Sequence, residues 1–315
     1  MRGFSNEFTD FPDYILKITK EIWEDRGLGR SMKVYYHPEV VVRVPAGIST
    51  GEAGMTHNAM ETLVEFPDRQ LFGEDVIWSG TPENGMLSSH RLWSTATHRG
   101  GRFGPDSGIE LEFRGIADCY AKDNQISDEW LVRDNGYIVR QLGLTPEQFV
   151  KAEIEAGRAP GYFLPENDIV GPYTGRGNDN EWGARYAELL TRIMSREFSV
   201  IPEAYDRACK LEYAGGVSTG GWEAADAHWL GLRSALPEAE FKVHHVIGRE
   251  DPMMPPRAAV RWSLDGLHEG WGAFGRPSGK RVHVMGICHA EFGPWGLRRE
   301  WACYDEISIW AQILS

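Results

Sequence analysis

Apolar positions along this chain fall at helix and strand spacings that run in one order and then run in that order again. Ile15, Ile18 and Ile22 recur on one helical face, predicting a helix over 13–25 closed by Gly27 and Gly29, with residues 1–12 as an arm before it. Residues 39–44 read as a short strand ending at Pro45, and 50–64 as a helix that stops before Pro67. Strands are expected at 75–79 and 86–97 around Pro82-Glu83-Asn84-Gly85, and at 109–120 and 126–132 around Lys122-Asp123-Asn124. Further on, helices at 184–196 and 222–234 precede strands near 240–248, 257–268, 280–292 and 298–304. Each run is helices followed by an antiparallel meander, an α+β layout. Residues 143–181 open with a short helix after Thr145-Pro146-Glu147 and then become rich in Gly, Pro and Asn. They read as a linker between domains at 1–142 and 182–315.

The residues themselves repeat as well as the pattern. Gly47-Ile48-Ser49-Thr50-Gly51 returns as Gly216-Val217-Ser218-Thr219-Gly220, Thr97-His98-Arg99-Gly100 as Leu267-His268-Glu269-Gly270, and Glu129-Trp130 as Glu300-Trp301. The offset grows only from 169 to 171, so order is kept with two net insertions. A period this long marks a duplicated domain, because solenoid units run to roughly 20–50 residues. What both copies keep is expected to be architecture, and what only one keeps is expected to be chemistry.

Composition narrows the partners. The formal charge is −13 and no Lys/Arg cluster occurs, which argues against nucleic acid and anionic membranes. Cys119, Cys209, Cys288 and Cys303 form no CxxC pair and no zinc spacing, and are expected to be reduced thiols in a cytoplasmic protein. No apolar run reaches membrane-spanning length, and the acidic first twenty residues are expected not to be a signal peptide. Twelve tryptophans leave some available to line a cavity.

The ordered signposts resemble the SnoaL-like polyketide cyclases of the nuclear transport factor 2-like superfamily. In the first copy they are Pro67-Asp68, Ala96-Thr97-His98-Arg99-Gly100, Arg114-Gly115-Ile116, and Ile126-Ser127-Asp128-Glu129-Trp130 with Asp134. The second copy keeps Arg261-Trp262, His268-Glu269-Gly270, Gly286-Ile287, Trp301, Asp305 and Gln312. The resemblance implies a tandem duplication of a cone-shaped domain, a curved antiparallel sheet wrapped around helices, with a ligand cavity at its open end. It also implies cofactor-free acid/base chemistry by a carboxylate, and copies that pair within the chain as a pseudo-dimer or with another chain as a homodimer.

Period-two alternation puts Asp128, Trp130, Val132 and Asp134 on one strand face and Glu129 on the other. Asp128 stands where the family's acidic residue falls, and beside an indole its pKa would rise toward a useful base. The alternative is a solvated carboxylate paired with Arg133 or Arg140. His90 and Asp118 are candidates for an acid/base dyad on neighbouring strands, and His98 for an assisting group or a turn residue. Trp130, Trp93, His57, Trp301, Arg299, His289 and Arg261 are expected to contact ligand. Arg299 stands in place of Asp128 in the second copy, and His289 in place of Asp118. Gly-x-Ser-x-Gly at 47–51 and 216–220 matches a nucleophile elbow, but its duplication favours a turn with Thr50 or Thr219 capping a helix. No metal or cofactor motif is present. The expected function is an aldol cyclase, isomerase or dehydratase acting on a small carbonyl compound. A non-catalytic ligand-binding or scaffolding protein is the alternative, and a serine hydrolase the third.

Overall fold

The computed structural model describes residues 1–315. The first copy runs α1 (Phe11–Trp23), α2 (Ser31–Tyr35), β1 (Tyr36–Val44), β2 (Gly47–Thr50), α3 (Gly51–Glu65), β3 (Gln70–Thr81), β4 (Gly85–Thr97), β5 (Glu110–Lys122), β6 (Gln125–Arg133) and α4 (Asn135–Gln141). After α5 (Pro146–Glu155) the second copy follows as α6 (Glu181–Met194), α7 (Ile201–Ala204), β7 (Tyr205–Tyr213), β8 (Val217–Gly220), α8 (Trp222–Ala235), β9 (Glu240–Arg249), β10 (Arg257–Leu267), β11 (Arg281–Gly293), β12 (Gly296–Tyr304) and α9 (Glu306–Leu314). The two six-stranded sheets have the same order, β2-β1-β6-β5-β4-β3 and β8-β7-β12-β11-β10-β9. The meanders are antiparallel as expected, but β1 lies parallel to β6 and β7 parallel to β12.

One face of each sheet wraps its own helices. Asp10 caps α1 by accepting from the Asp13 amide, and the helix buries Phe11, Tyr14, Ile15, Ile18 and Ile22 against the first sheet. The first ten residues are not a free arm, since Phe4 and Phe8 pack edge-on against Tyr14 at 4.9 and 5.1 Å. Each copy closes with the same clamp. Gln141 accepts from the Glu112 amide and donates back to its carbonyl, and Gln312 does the same to His283.

The Gly-x-Ser-x-Gly segments are short edge strands folded back on β1 and β7. Neither Thr50 nor Thr219 makes a side-chain cap, contrary to expectation. Ser49 accepts from Asn58 and Ser218 donates to Glu212, and no imidazole bonds to either hydroxyl, which removes the nucleophile elbow. Gly216 has another purpose. Its φ is +72°, and a Cβ there would lie 2.2 Å from the Tyr137 ring of the other copy. The bare backbone lets Asp134 accept from the Gly215 and Gly216 amides while it caps α4 through Tyr137.

The other faces of the two sheets meet each other, so the copies pair inside one chain. Ile116, Val132, Phe163, Met285, Ile287, Trp301 and Cys303 form one apolar cluster across this junction, and Ile77, Leu87, Ile247 and Ala259 form another. Residues 156–180 cross the junction as a packed strap. Tyr173 stacks on Tyr120 at 4.8 Å and hydrogen-bonds His245, while Asn178 bonds both the amide and the carbonyl of Gly248. No helix is long and apolar enough to cross a membrane.

Candidate functional site

Because successive strand residues point to opposite faces, each sheet has a helix-facing set and a junction-facing set. In the first copy the helix-facing set borders a cavity of about 70 Å³. Ile15, Thr19 and Trp23 come from α1, Tyr36 from β1, His90, Leu92 and Ser94 from β4, Phe113, Gly115, Ala117 and Cys119 from β5, and Glu129, Leu131 and Arg133 from β6, with Arg69 and Leu71 beside them. The carboxylate in this space is Glu129, not Asp128.

Glu129 is 5% exposed and its Oε2 accepts one hydrogen bond, from Tyr36 Oη at 2.9 Å. Burial outweighs that bond and pushes its carboxyl up to about 7. His90 lies one row further along the sheet, with Nδ1 3.3 Å from Ser88 Oγ, and burial brings it down to about 4. It is therefore a neutral imidazole at neutral pH, able to donate from Nε2 when Nδ1 accepts from Ser88. Cys119 is held well above its usual range by burial and stays a thiol. The Glu129 shift has a consequence for the fold. A carboxyl near 7 in the folded chain and near 4.5 when unfolded stays protonated longer when folded, so stability falls as pH rises between those values and levels off above. Urea melts from pH 4.5 to 8 are expected to show this loss, about 3 kcal/mol at most, and Glu129→Gln is expected to remove that component.

The second copy shows the same position without the cavity. Strand registers align Glu129 with Glu300, Ala117 with Cys288, Gly115 with Gly286, His90 with Val260, Leu92 with Trp262 and Arg133 with Tyr304. Glu300 accepts from Tyr186, Tyr205 and Tyr213 at 2.8, 2.9 and 2.6 Å. Trp262 and Trp229 are fully buried around it. A Cβ on Gly286 would come within 2.2 Å of the Trp262 ring, so the missing side chain there is what lets the indole fill the cone. Over Gly115 the nearest atoms are 3.7 Å away, and that space belongs to the cavity. Trp262→Leu is expected to open the second cone and to lower stability by about 2 kcal/mol, read by chemical denaturation.

Most other residues expected at the site lie elsewhere. Asp128 faces the junction, fully buried, where it accepts from Arg43, Ser127 and the Tyr173 amide. It anchors the strap and pairs with neither Arg133 nor Arg140. The His90–Asp118 dyad does not form, because Ser89, not His90, pairs with Asp118 across the strands, and the two side chains leave on opposite faces. Asp118 instead meets Arg261 Nε at 3.1 Å, with His245 Nδ1 at 3.7 Å. His98 hydrogen-bonds Ser107 outside the cavity, and His268 repeats this with Ser278, which fits a shared turn. His289 accepts from Arg91 at Nδ1, so its Nε2 proton goes to Ser89, an arrangement that joins the copies. Trp301 lies under Arg91 at 3.5 Å, Trp93 under Arg114 at 4.6 Å, and Arg299 is half-exposed near Glu291. His57 is exposed on α3 beside Glu61. Trp130 is held between Arg43 and Arg261 at 4.5 and 3.6 Å. Trp130 and Arg261 do border an open space of about 270 Å³ between the copies, with Phe163, His244, Ser263 and His283. No group of three or more His, Cys, Asp or Glu side chains is placed to hold a metal ion.

Residues 184–313 match the family described as SnoaL-like polyketide cyclase. No curated protein sequence matches the chain significantly. Among solved structures, a proposed polyketide cyclase from Acidithiobacillus ferrooxidans is 18% identical, covering 42% of this chain and 92% of its own, with a TM-score of 0.37. IdmH from Streptomyces antibioticus, a proposed polyketide cyclase, is 21% identical over 43% of this chain and 100% of its own, with a TM-score of 0.37. AclR from Streptomyces galilaeus, a proposed hydroxylase, is 21% identical over 42% and 96%, with a TM-score of 0.36. The second half of the chain is thus similar to the SnoaL-like polyketide cyclase family, and the first half repeats the same strand order in tandem.

Proposed function

We propose that the chain is a small-molecule enzyme whose first cone removes a proton next to a carbonyl group, with Glu129 as the base and no cofactor in that step. The observation that carries this reading is the contrast between equivalent glutamates. Glu300 is saturated by three phenols in a packed core, whereas Glu129 has one donor, a free Oε1 and a cavity beside it. A carboxyl near 7 divides between acid and base at neutral pH, which suits a group that must take a proton and return it. In the step, Glu129 accepts the proton from the carbon α to the carbonyl, and the C–H electrons move into the C–C bond as the oxygen becomes an enolate. Neutral His90 is the donor available to that oxygen from β4. Returning the proton to another carbon gives isomerisation, attack on a second carbonyl gives aldol closure, and loss of a β-hydroxyl gives dehydration.

The ligand-binding alternative has the same cavity but no bond change. Exchange of α-protons for deuterium, followed by proton NMR on methyl ketones in buffered D₂O, separates the two. Exchange at least a hundredfold above buffer supports the enzyme. A ketone that raises the melting temperature yet exchanges at the buffer rate leaves a binding protein.

A further inference from the structure

Two arginines at the same cavity have no counter-ion in the protein. Arg69 and Arg133 both border it, neither guanidinium lies within 4.0 Å of a carboxylate, and neither donates a hydrogen bond to the protein. Arg69 is only 7% exposed, and its Nε is buried without a partner. Around them are aromatic faces, Trp23 at 5.8 Å from Arg69 and Phe113 at 5.6 Å from Arg133. The nearest acids are engaged elsewhere: Glu24 accepts from the Leu71 amide and Glu65 from the Arg102 amide. Burial, and after it repulsion from Arg133, lowers Arg69 to about 9. A buried charge without a partner costs several kcal/mol, and Arg69 is such a charge with the half-buried Arg133 beside it, which leaves an incentive for an anion to bind between them. The second copy has lost both, with Ala239 in place of Arg69 and Tyr304 in place of Arg133, in the cone that is packed shut. Arginines and cavity occur together and are lost together.

We infer that the first cone takes a carbonyl compound that also carries a carboxylate, with the anion held by Arg69 and Arg133 and the carbonyl placed toward Glu129. This rests on Glu129 as the working base for the position of the carbonyl but not for the anion. Arg133 and Glu129 leave the same face of β6 four residues apart, roughly 13 Å of strand, and both border the cavity. The fit is therefore an oxo-acid whose two groups are separated by several carbons. Guanidinium forks bind carboxylates in two-point fashion, which sets this apart from general attraction.

The test is isothermal titration calorimetry of the full chain with 4-oxopentanoate, 5-oxohexanoate, 6-oxoheptanoate and 7-oxooctanoate, each beside its methyl ester. At least one acid is expected to bind tenfold or more tightly than its ester, with Arg69→Met and Arg133→Met each weakening the acid tenfold or more and leaving the ester unchanged. Arg69→Lys is expected to recover part of the loss, which shows that a fold defect is not the cause. Esters binding as tightly as acids, either Met variant binding the acid as wild type does, or no acid binding at all would overturn the inference. Deuterium exchange on the same samples separates the two readings. Acids that bind without exchange leave the anion site and remove the base, while neutral ketones that exchange with no preference for acids do the reverse.

Discussion

Glu129→Gln is expected to slow α-proton exchange by about 10³-fold, while Asp128→Asn leaves it within a few-fold of wild type. Glutamine keeps the volume and can still accept from Tyr36, so the cavity wall stays in place and only the base is lost. Asp128 is on the opposite face of the same strand, and its loss loosens the strap at Tyr173 without touching the cavity. The pH profile gives a second readout. Exchange requires the carboxylate, whose pKa in the folded chain is about 7, so the rate should rise with pH through that value and flatten above it. Equal losses in both variants, or a profile insensitive to pH between 6 and 8, would place the base elsewhere.

That one-residue contrast also explains what the sequence alone concealed. The repeated order of elements and the α+β layout follow from spacing, and both survive in the structure. Which face of β6 borders the cavity does not follow in that way. Alternation separates the two faces of a strand but names the inner one only when the other is wet, and here the second sheet covers it. Ile126, Ser127, Asp128 and Glu129 are all buried in succession, so neither face carries a polar signature. Because Glu300 matches Glu129, the glutamate reads from the sequence as shared architecture. The glutamate is common to both cones, and what differs is its surroundings: three phenols against one, Tyr213 where the first copy has Val44, and Trp262 where it has Leu92. The same surroundings differ at Arg69 and Arg133, which Ala239 and Tyr304 replace in the second copy. The packed role of the strap was hidden for another reason. Its Gly, Pro and Asn content describes backbone freedom, whereas its place is set by Phe163 and Tyr173, two aromatics whose partners Ile116, Val132, His283 and Tyr120 lie on the two sheets, far along the chain.

Several residues that looked suited to chemistry join the copies instead, and this makes the junction the place where one substitution should cost most stability. Arg261→Met is expected to lower the unfolding free energy by about 3–5 kcal/mol, measured by urea denaturation at pH 7. Arg261 is the cation that faces buried Asp118, and its guanidinium also covers Trp130 at 3.6 Å. Without it, Asp118 keeps only neutral His245 at 3.7 Å and the Ser89 hydroxyl, and its Oδ1 already lacks a hydrogen-bond partner. Burial already raises the Asp118 carboxyl, and Arg261 is what opposes that rise. Losing the cation lifts the folded-state pKa further above its unfolded value. The defect should therefore be smallest near pH 4 and grow as pH rises, because the folded chain must then either bury a lone carboxylate or hold a proton against solution. The double variant Asp118→Asn with Arg261→Met should recover most of the loss and abolish its pH dependence, since no charge remains to be stranded. A double variant as unstable as Arg261→Met alone would mean that the stacking on Trp130, rather than the ion pair, holds the two sheets together.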